Sequence, residues 1–245
     1  MKKISWLHIS DCHLTKSDKW ESQGVLDALI RDIERFLNQS KMQLDFLFIT
    51  GDITFSGKKE EFELFDQFLV KLRSISRVKP ERVFIVQGNH DYEIDIQSEN
   101  IKRLQEDADE SNMDQKIARI FQNPSESGTV NDIFKPFESY DLFIRRSTSI
   151  LRKEKALYYT ANIEMKNNLP NVSIIGFNTA FLGSHDGLLT NFQVKEALNE
   201  IEQEINNKNI VIGLSHHPLD HLYEKDKDVL SRFVRNKLDL RISKN

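Results

Sequence analysis

The sequence predicts an α/β fold built on a mainly parallel sheet. Short apolar, β-branched runs alternate along the chain with longer segments of helical periodicity, the pattern of βαβ units. Four of those runs end in polar clusters, where α/β sheets carry their sites. Hydrophobic residues make up 39% and charged residues 29% of the 245, a globular composition.

Ile4–Ile9 is dense in apolar residues and reads as a first buried strand. Val25, Leu26, Leu29, Ile30, Ile33 and Phe36 recur at helical spacing and place a helix over Gly24–Phe36. Asp45–Thr50 is the second strand, ending at Gly51-Asp52, and Lys59–Ile75 the second helix. Phe62, Phe65 and Phe68 lie at core spacing on that helix and are not a base-stacking platform. Arg82–Val86 is the third strand, ending at Gly88-Asn89-His90-Asp91.

From Tyr92 to Leu157 the chain turns polar and charged. Helices are expected over Ile101–Phe121 and Ile133–Leu151, with a loop at Asn123–Gly128. This stretch, about 92–157, reads as a helical insertion that caps the site. Its basic run, Arg145-Arg146 and Arg152-Lys153-Lys155, reads as a solvated helix face, with a phosphate-backbone contact as the alternative. Strands follow at Leu157–Met165 and Val172–Phe177, a helix at Gln193–Ile205, and a strand at Ile210–Leu214 that ends in Ser215-His216-His217-Pro218. A helix over Val229–Lys237 and a strand over Leu238–Ile242 complete the pattern. No repeat or linker divides the chain, so one domain over 1–245 is expected.

The net charge of -4 excludes a broadly basic surface, so nucleic acid as a partner requires a local patch or bound metals. Cys12 is the one cysteine, which precludes an intrachain disulfide and fits a reducing compartment; the cytoplasm is the expected location. No apolar run approaches the roughly 20 residues that span a bilayer, so no membrane partner is expected.

The chemistry lies at the four strand ends: Asp11-Cys12-His13, Gly51-Asp52, Gly88 to Asp91, and His216-His217-Pro218. Parallel strands bring such ends together although they are far apart in sequence. Imidazole, carboxylate and amide donors in one set suit manganese, iron or zinc better than calcium or magnesium. Two such metals about 3.5–4 Å apart activate water near neutral pH and clamp the attacking and leaving oxygens of a phosphate ester. Asp52, with two oxygens, can bridge the pair. Alternation along an extended segment turns Cys12 away from Asp11 and His13. His8, inside the first strand, reads as a core histidine; His185 and His221 read as loop and surface residues.

Asp11-x-His13, Gly51-Asp52, Gly88-Asn89-His90-Asp91 and His216-x-Pro218 together resemble the calcineurin-like metallophosphoesterase family, with Gly176-Phe177-Asn178-Thr179 similar to a further family strand. The resemblance covers nearly the whole chain. It implies a four-layer sandwich of two mixed β-sheets flanked by helices. It implies two divalent transition-metal ions, manganese first with iron or zinc as alternatives. Asp11 and His13 bind the first metal, Asp52 bridges, and Asn89 and His216 bind the second. The position before x-Pro favours His216 over His217. His90 is implied as the catalytic group that stabilises the transition state or protonates the leaving oxygen, with Asp91 orienting it. The implied activity is hydrolysis of a phosphomonoester or phosphodiester by a metal-activated hydroxide.

One departure stands out. The family closes its site with Gly-His-x-His after one further strand, and no such motif occurs here. A chain shortened relative to the family is expected, with each metal one histidine short. The alternatives are a nuclease or effector module of a longer protein, and a catalytically impaired metallophosphoesterase fold with an interaction role.

Overall fold

The computed structural model describes residues 3–17, 19–108, 112–149, 153–202, 209–223 and 238–244. Its strands are β1 (Trp6–Ile9), β2 (Phe46–Thr50), β3 (Val83–Val86), β4 (Tyr158–Ile163), β5 (Val172–Phe177), β6 (Ile210–Leu214) and β7 (Leu240–Ile242). Its helices are α1 (Lys19–Ser40), α2 (Lys59–Ser76), α3 (Glu99–Glu106), α4 (Met113–Gln122), α5 (Ser127–Phe134), α6 (Glu138–Ser147) and α7 (Asn191–Glu202).

The strands form two sheets, ordered β1-β2-β3 and β4-β5-β6-β7. The first is parallel throughout. The second is mixed: β4 pairs antiparallel with β5, and β5, β6 and β7 run parallel. Alternation along each strand explains how they stack. Phe46 and Phe48 of β2 and Phe84 and Val86 of β3 join Val172, Ile174, Ile212 and Leu214 of the other sheet in one buried cluster. The residues between them, Leu47, Ile49, Val83 and Ile85, face the other way and pack with Phe62, Phe65, Phe68 and Leu72 of α2. On the far side Val194, Ala197 and Ile201 of α7 pack with Ile175, Phe177 and Val211. Because β2 and β5 are buried on both faces, they read as continuous apolar runs rather than alternating ones. The result is the expected layering, helices on two stacked sheets.

The 92–157 stretch is helical, as expected, but differently divided. Its first helix is two, α3 and α4. The expected loop at Asn123–Gly128 contains a 3₁₀ turn, Pro124–Glu126, and the start of α5. Asn123 Oδ1 accepts the Ser125 N–H and Pro124 takes the first position, so residues that signal a turn here signal a helix start. Ile101, Ile117 and Ile133 of these helices form their own core with Phe181, Leu182 and Leu188. α6 instead docks on α2, Phe143 stacking on Phe62 at 5.5 Å between ring centroids. The expected helix over Val229–Lys237, and the expected helical residues from 203 to Ile205, lie outside the described residues. Among the described residues no helix is long and apolar enough to cross a membrane.

Candidate metal centre

The loops after β1 and β2 are zipped together by backbone. Asp11 N–H donates to Gly51 O, His13 N–H to Asp52 O, Leu14 N–H to Ile53 O, and Phe55 N–H back to Leu14 O. The loops follow a tight path: Asp11, His13 and Asp52 have φ of 56°, 43° and 51°. Left-handed backbone costs an L-residue roughly 1–2 kcal/mol, least for Asp and Asn, and such strain collects at functional sites. Three of the five expected metal ligands adopt it.

Two glycines make the packing possible. Gly51 has φ of 85°, and a Cβ there would meet the Gln87–Gly88 backbone. A Cβ on Gly88 would meet the Asp52 carboxylate. Asp52 thus sits against bare backbone, 2% exposed, with Oδ1 accepting the His90 N–H at 2.9 Å. Its other oxygen, Oδ2, lies 3.6 Å from His13 Nε2 and 3.3 Å from His216 Nε2. Asp11 Oδ1 lies 3.8 Å from His13 Nε2.

His216 is fully buried. Its Nδ1–H donates to the Thr50 carbonyl at 2.7 Å, which leaves the lone pair on Nε2. Nε2 has no hydrogen-bond partner, and it faces Asp52 Oδ2. An imidazole lone pair aimed at a carboxylate oxygen in a buried site is unfavourable unless a cation joins them. This orphaned nitrogen fits a bound metal ion. Ligand atoms of Asp11, Asp52 and His216 lie within 4.8 Å of one another, and those of His13, Asp52 and His90 likewise. His13 and Asp11 are each 37% exposed and Asp52 and His216 almost wholly buried, so the cluster has a floor and an open rim.

The electrostatics follow. Burial works to raise the Asp52 pKa and is outweighed by the neighbouring His216 imidazole and by the His90 N–H, which hold it down at about 2. For Asp11 burial is likewise outweighed by the side chains of His13 and Ser10, and its pKa falls. The Asp11 hydrogen bond raises His13 against its partial burial.

Of the remaining expected residues, Asn89 opens a half-buried 3₁₀ turn, Asn89–Asp91. His90 is half-buried, its ring 4.6 Å from that of His13. Asp91 does not orient His90 as expected. The Phe55 carbonyl accepts from His90 Nδ1 at 2.8 Å and does so instead. Asp91 is wholly buried and pins backbone: Oδ1 accepts from Ile53 N, Thr54 N and Thr54 Oγ1, and Oδ2 from Gly88 N. Burial, then the Asp52 charge, pushes its pKa up against these donors. The carbonyls of Phe55 and Thr50, which set the two histidine rings, were invisible to side-chain reasoning, because a carbonyl has no residue type.

His217 is fully buried too, but it turns away from the cluster to Thr179 Oγ1, 2.9 Å from Nδ1. Burial lowers its pKa to about 3. His8 Nε2 lies 2.7 Å from Thr50 Oγ1, and Cys12 packs against the core under α2. His185 and His221 are exposed.

The family's sequence profile matches residues 4–243, essentially the whole chain. The chain belongs to the calcineurin-like phosphoesterase family. Its members are in general phosphoesterases that bind divalent metal ions, and the clustered donors here are of the kind such ions take. No curated protein matches the chain.

Proposed function

We propose that this calcineurin-like phosphoesterase hydrolyses phosphate esters, mono- or diesters, with two divalent transition metals. The observation that carries this reading is the buried, unpartnered His216 Nε2 beside Asp52 Oδ2. Asp11 and His13 would hold one metal, Asn89 and His216 the other, and Asp52 both; manganese is the first choice, with iron or zinc also suited to the donors. When bound, the ions supply Lewis acidity and a lowered pKa for water.

The chain's own residues do the rest. Asp11 and His13 form the exposed rim, so a phosphate arrives from that face. His90 stands beside them with Nδ1 committed to the Phe55 carbonyl, which directs Nε2 as the atom that exchanges a proton with the leaving oxygen. The carbonyl fixes the tautomer and keeps the ring aimed. Asp91 acts as a positioning residue by holding Gly88, Ile53 and Thr54. The α3–α6 insertion is assigned the role of cap over the substrate's organic portion.

The test is turnover of a chromogenic phosphodiester by the purified chain with manganese. We expect turnover that a chelator abolishes and manganese restores. Two metals per chain without turnover above buffer overturns the catalytic claim. No manganese uptake overturns the ligand assignment as well.

A further inference from the structure

The loop that carries His216 is gripped from the strand beside it. β7 pairs with β6 in parallel, Arg241 opposite Gly213 and Ile242 opposite Leu214. The ladder runs on past the end of β6 into the loop. Ser215 N–H donates to Ile242 O at 3.1 Å, and Lys244 N–H donates to His216 O at 3.1 Å. Ser215, His216 and His217 are all buried, so these backbone groups need their partners.

Arg241 closes the grip with its side chain. Its Nη2 donates to Ser215 Oγ at 3.0 Å and to the His217 carbonyl at 2.7 Å. Ser215 Oγ in turn donates to the same carbonyl at 3.1 Å. The three groups form a closed ring across the residue between them, His216. Burial lowers the Arg241 pKa to about 10, the mark of a cation partly removed from water. Among the described residues no carboxylate pairs with it, and its donors go to this loop. Burying a charge is costly, and here the cost is met beside a candidate ligand.

We propose that Arg241 is a positioning residue of the metal centre: it holds the backbone on both sides of His216, so that Nε2 stays aimed at Asp52 Oδ2. The inference rests on the reading of His216 as a ligand. His216 then has two anchors. The Thr50 carbonyl holds its ring from the first sheet, and Arg241 holds its backbone from the edge of the second. Groups that orient ligands without touching the metal commonly set its affinity by about 10–100-fold. Arg241 does so against its own charge, since a cation beside a metal site repels the metal. Its removal strengthens manganese binding by charge alone and weakens it by loss of position. The sign of the change separates the two.

Calorimetric titration of the full chain with manganese, below the melting temperature of every variant, tests this. Arg241→Leu is expected to raise the manganese Kd by about tenfold or more. Arg241→Lys keeps the charge but not the planar fork, and should raise it by less. Asp239→Ala is the control. Asp239 Oδ2 accepts the Val211 N–H at 2.8 Å, which ties the start of β7 to β6 away from His216. Losing that tie loosens the strand and should leave manganese affinity as in wild type. If Arg241→Leu fails to fold, Arg241→Lys against Asp239→Ala carries the comparison. Unchanged or tighter binding by the Arg241 variant, or an equal loss in Asp239→Ala, overturns the proposal while a manganese-binding wild type leaves the ligand assignment standing. A wild type that takes up no manganese overturns that assignment and this inference with it.

Discussion

Two carboxylates buried side by side in this protein have opposite surroundings. Asp91 meets four donors, three backbone N–H groups and one hydroxyl. Asp52 has one N–H on Oδ1, and its Oδ2 faces imidazole nitrogens, one of them fully buried and unpartnered. Buried polar groups are normally satisfied, and an exception calls for an ion, a water or a function. The contrast separates two jobs. The satisfied carboxylate holds the loops after β2 and β3 together without help. The unsatisfied one has the surroundings a cation would complete, held in place by the backbone that Asp91 pins. Removing Asp91 should therefore harm the fold, and removing the Asp52–His216 pair should harm metal binding while sparing the fold.

The largest effect is expected at Asp91. Asp91→Ala leaves the N–H groups of Ile53, Thr54 and Gly88 unpaired, each costing about 1–3 kcal/mol, for a loss of about 4 kcal/mol or more. Thermal or urea unfolding reads it, and added manganese should not restore the loss. A stable Asp91→Ala protein would erase the distinction.

His216→Ala tests the other side. A metal at a hundred times its Kd stabilises the folded state by about 2.7 kcal/mol. Wild-type melting should rise by a corresponding amount with manganese. His216→Ala should melt close to the metal-free wild type and show no manganese response. A manganese response equal to wild type would remove His216 from the ligand set.

His90 falls between the two. Its ring is held by a backbone carbonyl, so His90→Gln leaves no buried carboxylate unpaired. We expect kcat to fall by about 10²–10⁴-fold, the usual worth of a general acid, with manganese content unchanged. Lost metal with unchanged folding would instead make His90 a ligand, a role its distance from His13 and Asp52 permits.

Much of this arrangement was legible in the sequence, for a physical reason. Parallel strands deliver their carboxyl ends to one place, so Asp11, Asp52, His90 and His216 could be grouped without coordinates. The alternation rule also set Cys12 into the core, where it packs. What could not be read is backbone. The left-handed conformations of Asp11, His13 and Asp52 arise from zipped loops, and nothing in those residue types announces them. The family resemblance implies an orienting role for Asp91, whereas the turn aims the carboxylate at the backbone beneath. Polar helix ends carry no periodic apolar signal, so α1 reaches beyond its expected bounds of Gly24 and Phe36.

The smallest predicted effect isolates one donor. The single Thr54 Oγ1–H is shared between Asp91 Oδ1 at 3.1 Å and the His90 carbonyl at 2.9 Å, and Oγ1 accepts the Gly57 N–H at 3.1 Å. Thr54→Val keeps the shape and removes all three. The three N–H donors of Asp91 remain, so the loss should be about 2 kcal/mol, roughly half that of Asp91→Ala. Thr54→Ser, which keeps the hydroxyl, should cost less than Thr54→Val. The manganese-induced rise in melting temperature should be equal in all three proteins, because this hydroxyl bonds none of the proposed ligands Asp11, His13, Asp52, Asn89 and His216. If Thr54→Val instead reduces the manganese response as it reduces stability, the two carboxylate centres are a single unit, and the separation of scaffold from metal site fails at this residue.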